Sequence, residues 1–313
     1  MKKIAIIIPV YNEQENITRV VHVLDDVTQK NSSLSFQYIF VNDGSSDHTK
    51  ETLEQLHAQK KYVHFINFSR NFGKEAALLA GLKHCEYDAA ILMDGDLQHP
   101  PSLIPELITA WEEGYDQVVA KRDRQGEHFI KSLFAKSYYY LINRITSVEM
   151  KDGEGDFRLL SKRASEALLS LNEHQRFSKG LYEWIGFPKK TICYRNVIRE
   201  DGETKWSFKQ LINYGVDGIL SFNTKPLRIC FYLGLATFLL SLFYIGYTFF
   251  QIVSGGIDVP GYFTTISAVL LLGSIQLFSL GIIGEYIGRI YNETKKRPHY
   301  IVDNASLEGE QHD

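Results

Sequence analysis

The chain has 313 residues, with 34 Lys and Arg against 37 Asp and Glu and a formal net charge of −3. That balance excludes the basic footprint of a nucleic-acid binder, and the length allows one large domain plus an appendage. The 3 cysteines, Cys85, Cys193 and Cys230, show no metal-ligand spacing and read as reduced thiols, not a disulfide framework. Mean hydropathy is −0.17, an average over two unlike regions. Residues before about Asn223 read as globular, whereas 229–283 is dominated by apolar residues.

The start, Met1-Lys2-Lys3 followed by an apolar run, looks like a signal peptide. The run is too short, and Tyr11-Asn12-Glu13 stands where a cleavage site would be, so 4–10 is a first buried strand. A helix follows over 15–30. Residues 36–41 form a second strand, ending in the turn-forming Asn42-Asp43-Gly44-Ser45-Ser46-Asp47, where Asp47 can cap the next helix. Strand three spans 63–68, then Ser69-Arg70-Asn71-Phe72-Gly73-Lys74 opens an Ala/Leu-rich helix through Leu82. Strand four is 89–93. Alternating strands and helices predict an α/β fold with a mainly parallel, doubly wound, Rossmann-like sheet. Polar loops at successive strand ends then gather on one edge, where such sheets bind nucleotides.

Strand four ends in Asp94-Gly95-Asp96-Leu97-Gln98-His99-Pro100-Pro101. Asp94 and Asp96 lie on the same side of an extended backbone and can share one hard divalent cation with room left for a diphosphate. Gly95 between them permits close approach to the backbone. Asp43 either accepts from a base or ribose or closes its own turn. Lys74 either meets a pyrophosphate at a helix start or is a solvated charge.

Residues 229–253 contain no charge, and 262–283 is a second apolar run, joined to the first by a short Gly/Pro-containing turn. Each is long enough to cross a bilayer, so the pair predicts an antiparallel transmembrane hairpin. Lys225 and Arg228 precede it, and Arg289, Lys295, Lys296 and Arg297 follow it, while the turn carries only Asp258. The positive-inside rule puts both termini and the large domain in the cytoplasm. The division expected is 1–223 for the globular domain, 224–290 for the hairpin and 291–313 for a cytoplasmic tail that frays after Val302. Residues 131–145 and 208–222 carry apolar groups at helical spacing beside Lys and Arg, the pattern of helices lying on a membrane surface or packing on the sheet.

Pro9-Val10-Tyr11-Asn12-Glu13, Val41-Asn42-Asp43-Gly44-Ser45, Ser69 to Lys74 and the Asp94 to Pro101 segment together resemble family 2 inverting glycosyltransferases of the GT-A fold. Gly155-Asp156-Phe157-Arg158, Arg199-Glu200-Asp201-Gly202-Glu203-Thr204-Lys205-Trp206-Ser207 and Gly281 to Arg289 narrow the resemblance to bacterial polyprenyl-phosphate (bactoprenol, undecaprenyl-phosphate) transferases, relatives of dolichol-phosphate mannose synthase, on the branch of the Gram-positive general-stress glycosyltransferases. The resemblance runs to about Ile301. Gly95 replaces the usual Ala and Thr204 the usual Ser, both without loss of function in the group offered. The Gln-x-x-Arg-Trp signature of processive polysaccharide synthases is missing at Gln175-Arg176-Phe177, which disfavours that alternative. The intact carboxylate pair disfavours another, a non-enzymatic membrane scaffold or lipid-flipping module.

The resemblance implies transfer of glucose or N-acetylglucosamine from a UDP-sugar to polyprenyl phosphate, with Mg²⁺ or Mn²⁺ held by Asp94, Asp96 and Gln98. Pro9, Tyr11, Glu13 and Asp43 would meet the uridine, Lys74 the diphosphate, and Asp94 and Gly95 also belong to the nucleotide-sugar site. Asp156 falls at the family's catalytic aspartate, with Asp96 beside it in the chemistry. Arg122, Arg199 and Lys205 match cations that handle the acceptor phosphate. A flippase and an envelope transferase would act downstream, supplying cell-wall or other envelope glycans. Small residues in the spans also offer lateral packing into a homo-oligomer.

Overall fold

The structure is a computed structural model that describes residues 1–31, 33–123, 154–174, 176–195, 225–255 and 261–307. In chain order its elements are β1 (Lys2–Val10), α1 (Gln14–Thr28), β2 (Leu34–Asn42), α2 (Thr49–Gln59), β3 (Val63–Phe68), α3 (Lys74–Lys83) and β4 (Ala89–Leu92). A 3₁₀ turn, Pro101–Leu103, leads into α4 (Ile104–Glu112) and β5 (Gln117–Asp123). Then come β6 (Glu154–Ser161), α5 (Lys162–Leu169), α6 (Ser178–Trp184), β7 (Lys189–Arg195), α7 (Lys225–Gly255), α8 (Tyr262–Thr294) and β8 (Val302–Ala305).

The eight strands make one sheet in the order β7-β5-β6-β4-β1-β2-β3-β8. Strands β4, β1, β2 and β3 are mutually parallel, as the strand–helix alternation requires. Strand β6 runs antiparallel between β4 and β5, so the sheet is mixed. Period-two alternation in β1 explains the layering. Ile4, Ile6 and Ile8 face α1 and α4 through Ile17, Val20, Leu24, Ile104 and Leu107. Ala5 and Ile7 face the other way, onto α3 and α5 through Ala77, Ala80, Ala164 and Leu168. Burying each such Ile contributes roughly 1.5–3 kcal/mol. Gly81 lets α3 lie flat on the sheet, since a Cβ there would strike the Ile7 side chain.

Helices α7 and α8 have 31 and 33 residues and pack against each other. Helix α8 runs past Ile283, the end of the apolar run, to Thr294. Glu285, Arg289 and Glu293 end a hydrophobic stretch but are compatible with a helix. Among the described residues, Leu271–Thr294 is long and apolar enough to cross a membrane by length and composition. Phe243, Phe250, Leu277 and Phe278 are all exposed. Soluble surfaces rarely show so much contiguous apolar area, whereas lipid covers it at no cost.

Over its described residues, to Leu307, the tail does not fray after Val302. Val302–Ala305 adds β8, antiparallel to β3, with Asn67 opposite Asn304. Ser69 donates its amide to the Ile301 carbonyl at 3.0 Å, and Lys50 pairs with Asp303 at 2.7 Å. Tyr300 stacks on Phe68 with ring centroids 5.0 Å apart. Acidic composition misled the sequence reading because it says nothing about the open edge of β3, which invites one more strand.

Candidate active site

The carboxyl ends of β1, β2 and β4 and the start of α3 enclose a cavity of about 360 Å³. Pro9, Tyr11, Glu13, Asp43, Lys74, Asp94 and Gly95, the residues expected to hold the nucleotide-sugar, all line it. Asp96 joins them, with Val10, Asn71 and Gly73, which sequence reasoning did not single out. The convergence follows from the parallel register of β4, β1 and β2, which brings their loops to one sheet edge.

Asp43 resolves into neither of its two sequence readings alone. It lines the cavity, but its Oδ1 accepts from the Phe72 amide at 2.6 Å and its Oδ2 from the Gly73 amide at 2.9 Å. It therefore ties the β2 loop to the β3–α3 loop. Burial pushes its pKa up, against the pull of those two amides. Neighbouring Gly44 has φ of 64°, and a Cβ there would fall on the Arg70 backbone, so the two loops touch only because this residue is Gly. Asp47 is not the cap expected of it: His48 stands at the N-cap of α2 with no side-chain cap, and Asp47, one residue earlier, accepts from the Thr49 amide at 3.1 Å.

Lys74 is the pivot of the opposite wall. Its Nζ lies 2.6 Å from Asp94 Oδ1 and 2.6 Å from Asp156 Oδ2, so it is not a solvated charge. Asp156 reaches it from β6, the antiparallel neighbour of β4. Burial lowers the pKa of Lys74, but Asp156 and Asp94 more than reverse this and hold it firmly protonated. Burial likewise opposes ionisation of Asp156, and the Lys74 ammonium overcomes it, leaving the pKa below the usual carboxylate range. At Asp94, burial is outweighed by His99 and Lys74, so this carboxyl too stays ionised. Arg158, on the same strand as Asp156, donates to the Gly155 carbonyl at 2.7 Å and stacks over Tyr182.

Asp94 and Asp96 put hard oxygen donors into the cavity, the kind that Mg²⁺ or Mn²⁺ takes while keeping positions for phosphate oxygens. Among the described residues no three His, Cys, Asp or Glu side chains gather into a closed metal cage. Gln98 turns back on Asp96, giving its backbone amide to Oδ1 at 3.1 Å and its side-chain amide to Oδ2. It thus orients Asp96 in this structure.

Three features escaped the sequence reading. The His99 ring sits with Nε2 3.6 Å from Asp94 Oδ2, Nδ1 2.8 Å from the Tyr194 hydroxyl and its face on Phe157. It lay inside the quoted motif, but its partner Tyr194 is 95 residues away. Ser178, at the start of α6, bonds to half-buried Glu75, whose pKa is raised by desolvation and by the nearby Asp156 charge. Lys179 follows Ser178; burial lowers its pKa while the Asp156 charge raises it. Nothing local in Phe177-Ser178-Lys179-Gly180 signals that placement. Arg122 stands on β5 directly opposite Tyr194, on the side of the site that His99 occupies. Arg199, Lys205 and the two surface-helix segments, 131–145 and 208–222, lie outside the described residues.

Residues 5–169 match the glycosyl transferase family 2 profile, and residues 225–290 match the GtrB C-terminal hairpin. The chain belongs to glycosyl transferase family 2. It is 55% identical over 304 residues to the Bacillus subtilis (strain 168) protein CsbB, whose name marks its glycosyltransferase assignment as provisional; the match covers 97% of this chain and 92% of that one. It is 38% identical to the "Bactoprenol glucosyl transferase" of Shigella phage SfV, over 96% of this chain and 98% of that one. A solved structure similar to it is glucosyl-3-phosphoglycerate synthase from Mycobacterium tuberculosis, at 17% identity and a TM-score of 0.45, covering 70% of this chain and 79% of that one. Family 2 membership and the single mixed sheet make this chain a glycosyltransferase with a GT-A catalytic fold, followed by an apolar C-terminal hairpin. The processive-synthase alternative finds no support in Arg176 either. Its guanidinium is spent on the carbonyls of Leu168 and Leu171 at the end of α5.

Proposed function

We propose that this transferase moves one hexose, with inversion, from a UDP-sugar to undecaprenyl or another polyprenyl phosphate at the inner face of the membrane. The names of its relatives favour glucose over N-acetylglucosamine. The product would be a lipid-linked sugar for envelope glycans. The observation that carries the reading is the single ammonium of Lys74 held between Asp94 and Asp156 on the wall of a cavity that Asp96, Tyr11 and Asp43 also line.

The acceptor is a phosphomonoester whose second ionisation lies near pK 6, so at neutral pH it is already largely a dianion. Asp156, kept ionised by Lys74, then serves to orient the acceptor and to take a residual proton on its carboxylate, with no nucleophile to create. Approach of a dianion to a diphosphate demands positive charge. Arg122, Arg199 and Lys205 are assigned to screen it, and Arg suits bidentate phosphate binding. Asp94 and Asp96 would hold Mg²⁺ or Mn²⁺. That cation would neutralise the diphosphate and stabilise UDP as it leaves. Glu13, Tyr11, Pro9 and Asp43 line the end of the cavity assigned to uridine. The hairpin, with cations at both ends and none in its turn, supports two spans with both termini cytoplasmic. The sheet would then face the leaflet that offers polyprenyl phosphate.

The test is direct. Purified protein in vesicles containing undecaprenyl phosphate is incubated with radiolabelled UDP-glucose, UDP-N-acetylglucosamine and GDP-mannose in turn. Label should enter the lipid phase from a UDP-sugar, stop on chelation, and fall about 100-fold in Asp96→Asn with the fold intact. Lipid labelling by Asp96→Asn in chelator at the wild-type rate would refute the proposed site.

A further inference from the structure

The C-terminal strand is connected to the nucleotide end of the cavity by an unbroken run of hydrogen bonds. Asn304 on β8 accepts at Oδ1 from Asn67 Nδ2 at 2.8 Å. Asn67 accepts at Oδ1 from Asn42 Nδ2 at 2.9 Å. Asn42 in turn accepts at Oδ1 from the Ser45 hydroxyl at 2.6 Å and from the Ser45 amide at 3.1 Å. The Ser45 hydroxyl oxygen accepts from the Asn12 amide at 2.9 Å, and Asn12 Oδ1 accepts from the Ser46 amide at 2.9 Å. Asn12 stands between Tyr11 and Glu13, both in the cavity lining, and holds a left-handed φ of 54°.

Direction matters along this chain. An Asn side chain has one accepting end and one donating end, so each link fixes which way the next amide faces. Asn67 and Asn42 are 1% and 2% exposed, which leaves water little access to replace a missing partner. Asn304 at the outer end is open to solvent, as are Asn12 and Ser46 at the cavity end, so the two buried amides lie between two exposed ends. Its own Nδ2 donates to Glu54 Oε1 at 3.1 Å, which sets its orientation. If the Asn67 amide turns over, Asn42 meets a donor in place of an acceptor. Asn42 Oδ1 is then no longer held toward Ser45, and the strained Asn12 backbone loses its brace.

We propose that Asn304, which follows the membrane hairpin in sequence, is a positioning residue for nucleotide binding, acting through Asn67, Asn42 and Ser45 on the Tyr11–Glu13 loop. The inference rests on the nucleotide-sugar reading of the cavity. It gives the final strand a part in the chemistry beyond closing the sheet edge. The tail is thereby a component of donor recognition even though none of its described residues lines the cavity.

UDP binding to the detergent-solubilised full chain, by calorimetry with Mn²⁺ present, tests it beside donor and acceptor kinetics. Asn304→Leu keeps the side-chain size and the backbone ladder but removes the acceptor. It should weaken UDP binding and raise the donor KM about five-fold, the worth of one hydrogen bond, with kcat and the acceptor KM unchanged. The double variant Asn304→Asp with Glu54→Gln restores an acceptor toward Asn67 and a donor toward residue 304, and should recover UDP binding. Lys50→Ala removes a β8 contact outside the relay and should leave UDP binding as in the wild type. Equal UDP affinity in wild type and Asn304→Leu overturns the proposal. So does a Lys50→Ala loss matching that of Asn304→Leu, or failure of the double variant to recover. A wild type that binds no UDP removes the nucleotide reading itself and this inference with it.

Discussion

The two walls of the cavity are built from different forces. On the β2 side, loops are joined by backbone amides, neutral side-chain amides and one carboxylate, as in Asp43 with Phe72 and Gly73 and Asn42 with Ser45. On the β4 side, Lys74, Asp94 and Asp156 are held by charge, with Glu75 and Lys179 close enough to perturb them. The first wall is held by directional hydrogen bonds with no ligand present and would suit a neutral base and ribose. The second is a set of half-desolvated charges that balance one another and can be rebalanced by an incoming diphosphate and acceptor phosphate. Preorganisation by directional bonds and preorganisation by opposed charges should fail in different ways on mutation.

The largest effect should come from removing the pivot of the charged wall. Lys74→Met leaves Asp94 and Asp156 facing each other without their cation, and turnover should drop about 1000-fold. A thermal melt should show the fold intact; turnover within about three-fold of wild type would deny Lys74 its place. Asp156→Asn should slow transfer about 100-fold, since an uncharged amide no longer answers Lys74. Because the acceptor is already ionised, raising the pH from 7 to 9 should not rescue this variant. A log-linear rise of its rate over that range, absent in the wild type, would make Asp156 a true base. On the directional wall, Asp43→Asn turns one acceptor into a donor facing an amide. The donor KM should rise about ten-fold with kcat little changed. A larger loss in kcat than in affinity would erase the distinction between the walls.

The smallest effect is expected away from both walls, in stability. Burial, and to a lesser degree His57, holds the His64 pKa below its ordinary value. The unfolded chain therefore binds this proton more readily near pH 6.5. Stability from this group is complete above that pH and declines as the pH falls below it. The melting temperature should fall between pH 7.5 and 5.5, and His64→Gln should flatten the slope by about a degree or two. Identical slopes would show that His64 is not desolvated in the way its surroundings imply.

Much of the directional wall was legible in the sequence. Strand ends in Pro9 to Glu13, Asn42 to Asp47 and Asp94 to Asp96 announce themselves by composition, and a parallel sheet places them together without further information. The charged wall was legible only in part. Lys74 and Asp156 were visible as residues, but their meeting depends on β6 entering antiparallel beside β4, which no local pattern reports. The Asp43 grip on Phe72 and Gly73 joins residues 29 and 30 positions apart, and its turn motif pointed to a partner inside the turn. The tail shows the same limit more strongly. Its four-residue strand has little burial of its own and forms because β3, far back in the chain, has a free edge.

The central claim is a single in-line displacement in which Asp156 orients an already ionised phosphate. The most direct measurement is the anomeric configuration of the lipid product, by NMR, after reaction with UDP-α-glucose. The account predicts one sugar per polyprenyl phosphate, β-linked, with no sugar left on the protein. An α-linked product, a glycosyl-protein intermediate or a growing polymer would contradict it.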